Sequence, residues 1–210
     1  MFMKLYLVRH GMSLLNEKGV HQHNSTELSG EGLAQAKRLA ARFKTIPIDI
    51  ILSSHYRRAE QTAEIIADTI GKPIEISPII HEVRRPSIIE GRGSDEPDVV
   101  AIKALIEENL DRPDWHHSDE ESLFDVRLRA STFLRSLDDR REENLLVVTH
   151  GTFMRMLIAV MLNGPEVDPR LFLKYLSFFI STNTGLTICQ KDLGDPWRMV
   201  TWNDQAHLGE

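Results

Sequence analysis

Two histidines 140 positions apart, His10 and His150, each stand before a glycine and behind a short apolar run. The segments are Leu7-Val8-Arg9-His10-Gly11 and Val147-Val148-Thr149-His150-Gly151. Runs of this length and character read as buried strands. A histidine at the end of such a strand stands where open α/β sheets bind their ligands. As a neutral imidazole it can act as a nucleophile, and two such residues from distant parts of the chain point to one shared site. Arg9 and Arg58 add planar guanidinium forks, whose geometry matches the oxygens of a phosphate. Arg58 falls in the first turn of a predicted helix, where the macrodipole disfavours a cation unless an anion is bound beside it. Arg57 reads as a solvated surface charge.

The elements that must position these residues follow from periodicity and punctuation. Strands are expected over 3–8, 49–53, 73–77 and 145–148, with further β-rich runs over 178–182, 185–190 and near 197–202. Ser29 precedes a helical pattern carrying Leu33, Ala36, Leu39, Ala40 and Phe43 on one face. A second helix should run from about Tyr56 to Ile70, closed by Gly71. The stretch 97–139 reads as two helical pieces broken near Arg112-Pro113, the second starting at about Glu120. Helices over 152–162 and 168–176 complete the pattern, and 9–28 and 78–96 read as loops. Strands alternating with helices imply an α/β fold, a three-layer α/β/α sandwich around a mainly parallel sheet. The 210 residues suit one domain, spanning 1–210.

Composition narrows the function. The longest apolar run, Met156–Leu162, is far short of the ~20 residues of a membrane span. The start lacks the apolar core of a signal peptide. A single cysteine, Cys189, excludes an internal disulfide or a cysteine-based metal cluster and points to a reducing cytoplasm. A net charge of −6 argues against a nucleic-acid binder. Residues 90–143 hold 16 acidic and 8 basic side chains, whereas 1–89 hold 9 and 12. Arg9, Arg58, Arg84 and Arg85 all belong to that first part, so a cationic pocket on an acidic protein suits a small anionic substrate.

Five segments together resemble the histidine phosphatase superfamily, the phosphoglycerate mutase-like family. They are LVRHGMS at 7–13 with Asn16 behind it, LSGEGLAQA at 28–36, SSHYRRAEQTA at 53–63, VVTHG at 147–151 and STNTGLTI at 181–188. The resemblance implies a phosphoglycerate mutase-like fold and a phosphatase acting on a small phosphomonoester. His10 then takes the phosphoryl group and passes it to water. Arg9, Arg58, His150 and Asn16 bind the phosphate, with His150 acting as a cation. The family's arginine precedes the alanine of its A-x-Q-T segment, which selects Arg58.

The family keeps its acidic proton donor where Glu82 stands, and the negative charge of a bound phosphate favours a protonated carboxyl there. The flanking residues depart from the family's glycine-tryptophan-glutamate-glycine pattern, so Glu90 is a second candidate. Arg84 and Arg85 are candidates for a second anionic group of the substrate. Met12 replaces the usual acidic residue after the first RHG, and His21-Gln22-His23-Asn24 replaces a typical Arg/Gly/aromatic loop. Neither His21 with His23 nor His116 with His117 has further ligands at diagnostic spacing, so no metal and no cofactor are expected. Two alternatives stand beside the phosphatase. One is a cofactor-dependent phosphoglycerate mutase, and the other a non-catalytic phospho-ligand-binding module. The only partner expected is the small phosphate ester, with no nucleic acid or membrane, and a homodimer is left open.

Overall fold

The computed structural model describes residues 2–192 and 194–209. Within these described residues six strands form one sheet: β1 (Phe2–Arg9), β2 (Ile50–Ser53), β3 (Ile74–Ile76), β4 (Asn144–Thr149), β5 (Leu186–Asp192) and β6 (Arg198–Asp204). Their spatial order is β3-β2-β4-β1-β5-β6. The pairings β2–β3, β2–β4 and β1–β4 are parallel, and β1–β5 and β5–β6 antiparallel. The sheet is therefore mainly parallel, with an antiparallel hairpin on one side. Among the described residues seven α-helices accompany it: α1 (Leu14–Glu17), α2 (Gly30–Phe43), α3 (Arg57–Ile70), α4 (Pro97–Glu108), α5 (Leu123–Ser136), α6 (Gly151–Asn163) and α7 (Pro169–Phe178).

Alternation along the central strands sorts the core into two layers. Tyr6 and Val8 of β1, with Leu146 and Val148 of β4, face α2 and α3 through Leu39, Phe43, Ala63 and Ile66. Leu5, Leu7, Leu145 and Val147 face the other way, against Val126, Phe133, Phe153 and Leu157 of α5 and α6. Both faces of β1 and β4 are buried, which explains why they read as unbroken apolar runs rather than alternating ones.

Helix ends follow local chemistry. Ser29 caps α2 by accepting from the Gly32 N–H, and Ser122 caps α5 through a reciprocal box with Asp125. Gly71 ends α3 in the left-handed conformation, at φ 67°. The expected strand over 178–182 is not formed. Asp168 caps α7 at the Arg170 and Leu171 N–H groups, Pro169 opens it, and the helix runs on through Phe178. The residues after it form a loop that reaches the site, and the hairpin strands begin at Leu186. The second half of 97–139 starts at Leu123 rather than Glu120 because Ser122 supplies the cap.

One close approach fixes the loop after β1. A Cβ on Gly11 would lie 2.6 Å from the Gly32 carbonyl oxygen, and one on Gly32 would lie 1.9 Å from that of Met12. The start of α2 thus holds the His10–Met12 backbone by direct contact that only glycine permits. Gly32→Ala must push this loop away. The expected cost is about 1–3 kcal/mol of overpacking together with a drop in kcat, readable by denaturant titration and steady-state kinetics. Unchanged stability and turnover would show that the loop has room to yield.

Candidate active site

Register brings the two histidines together. Arg9 pairs with Thr149 in the parallel β1–β4 ladder, so His10 and His150 leave adjacent strands at the same level. The His10 N–H continues the ladder to the Thr149 carbonyl at 3.0 Å. The two rings lie 5.0 Å apart between centroids, close to the spacing of neighbouring strands. On the other side of β4, Ser54 follows the end of β2 and bonds through its N–H to the Val148 carbonyl. Its hydroxyl sits 2.9 Å from His150 Nε2.

The tautomer of His10 is set by its neighbours. Its Nδ1 lies 2.7 Å from the Gly11 carbonyl oxygen, an acceptor only, so Nδ1 carries the proton. Nε2 therefore holds a lone pair, and it accepts from Arg58 Nε at 3.1 Å. Burial pushes His10 well below the usual histidine range, and the Arg58 and Arg9 cations push it further. Burial, with Arg58 and then His10 beside it, holds His150 low as well. Both rings are thus neutral in this state. The cationic His150 implied by the resemblance is not the form this environment favours.

The arginines are fixed by backbone. Arg58 donates from a terminal nitrogen to the His23 carbonyl at 3.0 Å, and Thr62, one turn on, accepts from the Gly11 N–H at 3.1 Å. Helix α3 therefore carries both a guanidinium and the hydroxyl that steadies the His10 loop. Burial lowers Arg58 to about 10. Arg9 donates to the Ser181 carbonyl, while its Nε is buried without a partner among the described residues, as is His150 Nδ1. Asn183 holds the His10 carbonyl at 2.9 Å and Thr184 N–H the Arg9 carbonyl at 2.9 Å. The 179–185 loop is thus part of the site.

Glu82 stands at the start of α6. Its carboxylate accepts from the Val83, Thr152 and Phe153 N–H groups at 2.9–3.1 Å. With Tyr56, Arg58, Arg84, Arg85 and Glu90 it lines a cavity of about 150 Å³. Arg84 is committed, its Nε donating to the Asp119 carbonyl at 2.7 Å. Arg85 has no side-chain hydrogen bond or ion pair among the described residues. Glu90 pairs with His23 at 2.8 Å at the same mouth.

Asn16 is placed differently. Its carboxamide oxygen closes the cap of α1 by accepting from the Ser13 N–H. Sequence reasoning passed over Ser54, Tyr56, Thr62, Ser181 and Asn183. A polar pair at the end of β2, Ser53-Ser54, was the available signal for the first. Among the described residues no group of three or more His, Cys, Asp or Glu is placed to hold a metal ion. No helix there is long and apolar enough to cross a membrane.

Buried neutral histidines make stability depend on pH with a definite sign. Unfolded histidine protonates near 6.5, whereas His10 and His150 in the folded protein do so well below that, and His207 at about 4. The unfolded state therefore binds more protons below about 6.5. Stability should be full above that pH and fall as pH drops from 6.5 toward 5. Urea midpoints at pH 7.5 and 5.5 check this. An unchanged midpoint would mean that the rings are not held neutral.

A sheet whose central parallel strands deliver two histidines to a pair of arginines defines a phosphoryl-handling α/β enzyme. The family model of the histidine phosphatase superfamily (branch 1) matches residues 5–205. The chain is 32% identical over 161 residues to a protein of Hydrogenobacter thermophilus named "Putative phosphoserine phosphatase 2", covering 75% of this chain and 78% of that one. It is 28% identical over 220 residues to "Probable phosphoglycerate mutase GpmB" of Escherichia fergusonii, covering 98% and 95%. Among solved structures it resembles a histidine-to-alanine mutant of Entamoeba histolytica phosphoserine phosphatase in complex with phosphoserine. That match has a TM-score of 0.79 at 25% identity and covers 98% and 99% of the chains. The chain belongs to the histidine phosphatase superfamily, and it is a phosphatase enzyme.

Proposed function

We propose that this enzyme hydrolyses a small phosphomonoester through a phosphohistidine on His10. The observation that carries the reading is the Nε2 lone pair of His10, fixed by the Gly11 carbonyl and facing the Arg58 guanidinium. His10 Nε2 attacks phosphorus as the bond to the ester oxygen breaks, and Glu82 gives that oxygen its proton. Water then attacks the phosphohistidine and returns a proton to Glu82, releasing inorganic phosphate. Arg9, Arg58 and His150 hold the equatorial oxygens, where charge stabilisation is the main task. The unpartnered Arg9 Nε and His150 Nδ1 gain acceptors when an oxyanion binds. A bound dianion also favours proton uptake by His150. Asn16 is assigned a phosphate contact through its amide NH₂, its oxygen staying in the α1 cap. Arg85, rather than the committed Arg84, is the cation for a second anionic group.

Phosphoglycerate mutase chemistry uses the same groups and differs in returning the phosphoryl group to a second hydroxyl. The departures at Met12 and His21–Asn24 favour hydrolysis, and stimulation by 2,3-bisphosphoglycerate would favour the mutase. The chemistry needs no metal and no cofactor. The single buried Cys189 supports a reducing cytoplasmic setting, and the net charge of −6 supports a partner list without nucleic acid.

A screen over metabolite phosphates, with His10→Ala as the blank, tests the reading. Activity should survive dialysis against EDTA and be inhibited by vanadate. Activity lost to the chelator and restored by a divalent ion would overturn the metal-free mechanism.

A further inference from the structure

Beyond Arg85, the cavity lined by Arg58 and Glu82 meets a second one. Val83, Arg85 and Thr152 also line a neighbouring space of about 220 Å³. Ile106, Leu110, Trp115, Leu123 and Leu176 supply much of its wall. All five are half-buried, with Leu123 and Leu176 packing against the core under α5 and α6 and the other three outside it. The nearby polar groups are largely engaged. Glu120 accepts from the His117 and Ser118 N–H groups, Glu121 from Arg129, and Arg112 donates to Asn109. Lys103 and Glu107 are exposed residues of α4, and Arg85, without a side-chain partner among the described residues, is the charge at the junction of the two cavities.

We propose that this cavity receives the alcohol portion of the substrate, and that the enzyme favours phosphomonoesters whose alcohol carries an apolar part beyond any anionic group held at Arg85. The inference rests on the phosphatase reading above. Continuity carries it: the Thr152 N–H bonds Glu82 at 3.0 Å, two residues beyond His150. A group extending from the leaving oxygen beside Glu82 therefore passes Thr152 into the apolar space. A small polar alcohol would leave that surface uncovered, whereas an alkyl chain or ring removes it from water together with its own.

The test is kcat/KM for n-alkyl phosphates from ethyl to octyl, with phosphoserine as the polar reference. Burial of a methylene supports a rise of up to about fourfold per carbon, so the series should climb steeply and level off when the cavity is full. Ile106 lies outside both core clusters. Ile106→Asn should flatten the climb, and Ile106→Trp should move the plateau to shorter chains. Equal kcat/KM across the series, or a slope that neither variant changes, would overturn the cavity assignment while leaving the phosphatase reading intact. Hydrolysis of no ester at all would overturn that reading, and this one with it.

Discussion

Replacing His10 by alanine should abolish phosphoenzyme formation and lower kcat by about 10⁴-fold or more, the range seen when a covalent nucleophile is removed. The reasoning is geometric. Nε2 carries the lone pair held against Arg58, with the tautomer fixed by the Gly11 carbonyl. His150 does not share this geometry: its Nε2 faces the Ser54 hydroxyl and not a guanidinium, and its Nδ1 has no partner among the described residues to fix the tautomer. Wild-type protein should acquire an acid-labile, base-stable label from a phosphodonor, and the variant none. Undiminished labelling of the variant would move the nucleophile elsewhere.

The second large effect concerns Glu82 and depends on the leaving group. An alkyl phosphate expels a basic alkoxide that needs a proton, whereas p-nitrophenyl phosphate expels a stable anion. Glu82→Gln should slow alkyl esters by roughly 10²–10⁴ and the aryl ester far less. Geometry adds a further expectation. Both carboxylate oxygens accept from backbone N–H groups, and an amide must turn its NH₂ toward one of them. The variant should therefore also lose about 1–3 kcal/mol of stability. Any resulting shift of α6 would affect both esters, so the ratio between them isolates the proton-transfer role. An equal, small loss on both would shift the role to Glu90 or to solvent, and Glu90→Gln decides between the two carboxylates.

The parts of this molecule legible in the sequence were those written in local chemistry. Apolar runs gave β1 and β4, and serine caps and Gly71 bounded the helices near their true ends. Residues governed by distant contacts were harder to read. Phe178, Phe179 and Ile180 look like strand residues, yet the cap at Asp168 carries α7 through Phe178. The loop beyond is then held by Arg9, Arg155 and Trp202 from elsewhere in the chain. Asn183 and Ser54 owe their place in the site to strand order, which spacing does not encode. The charge of His150 depends on burial and on Arg58, which is why a family-based expectation of a cation does not describe this state.

The pairing of Arg9 with Thr149 has a consequence for how the enzyme fails on heating. Many active sites are assembled from loops that loosen before the body of the protein melts. Here the two histidines leave the innermost parallel pair, buried on both faces and closed by a ladder bond at His10 itself. Separating them requires breaking the part of the sheet expected to open only in global unfolding. The geometry of the two histidines and the fold should therefore be lost at one midpoint, read by hydrolysis of p-nitrophenyl phosphate, which depends least on the loop-borne Glu82.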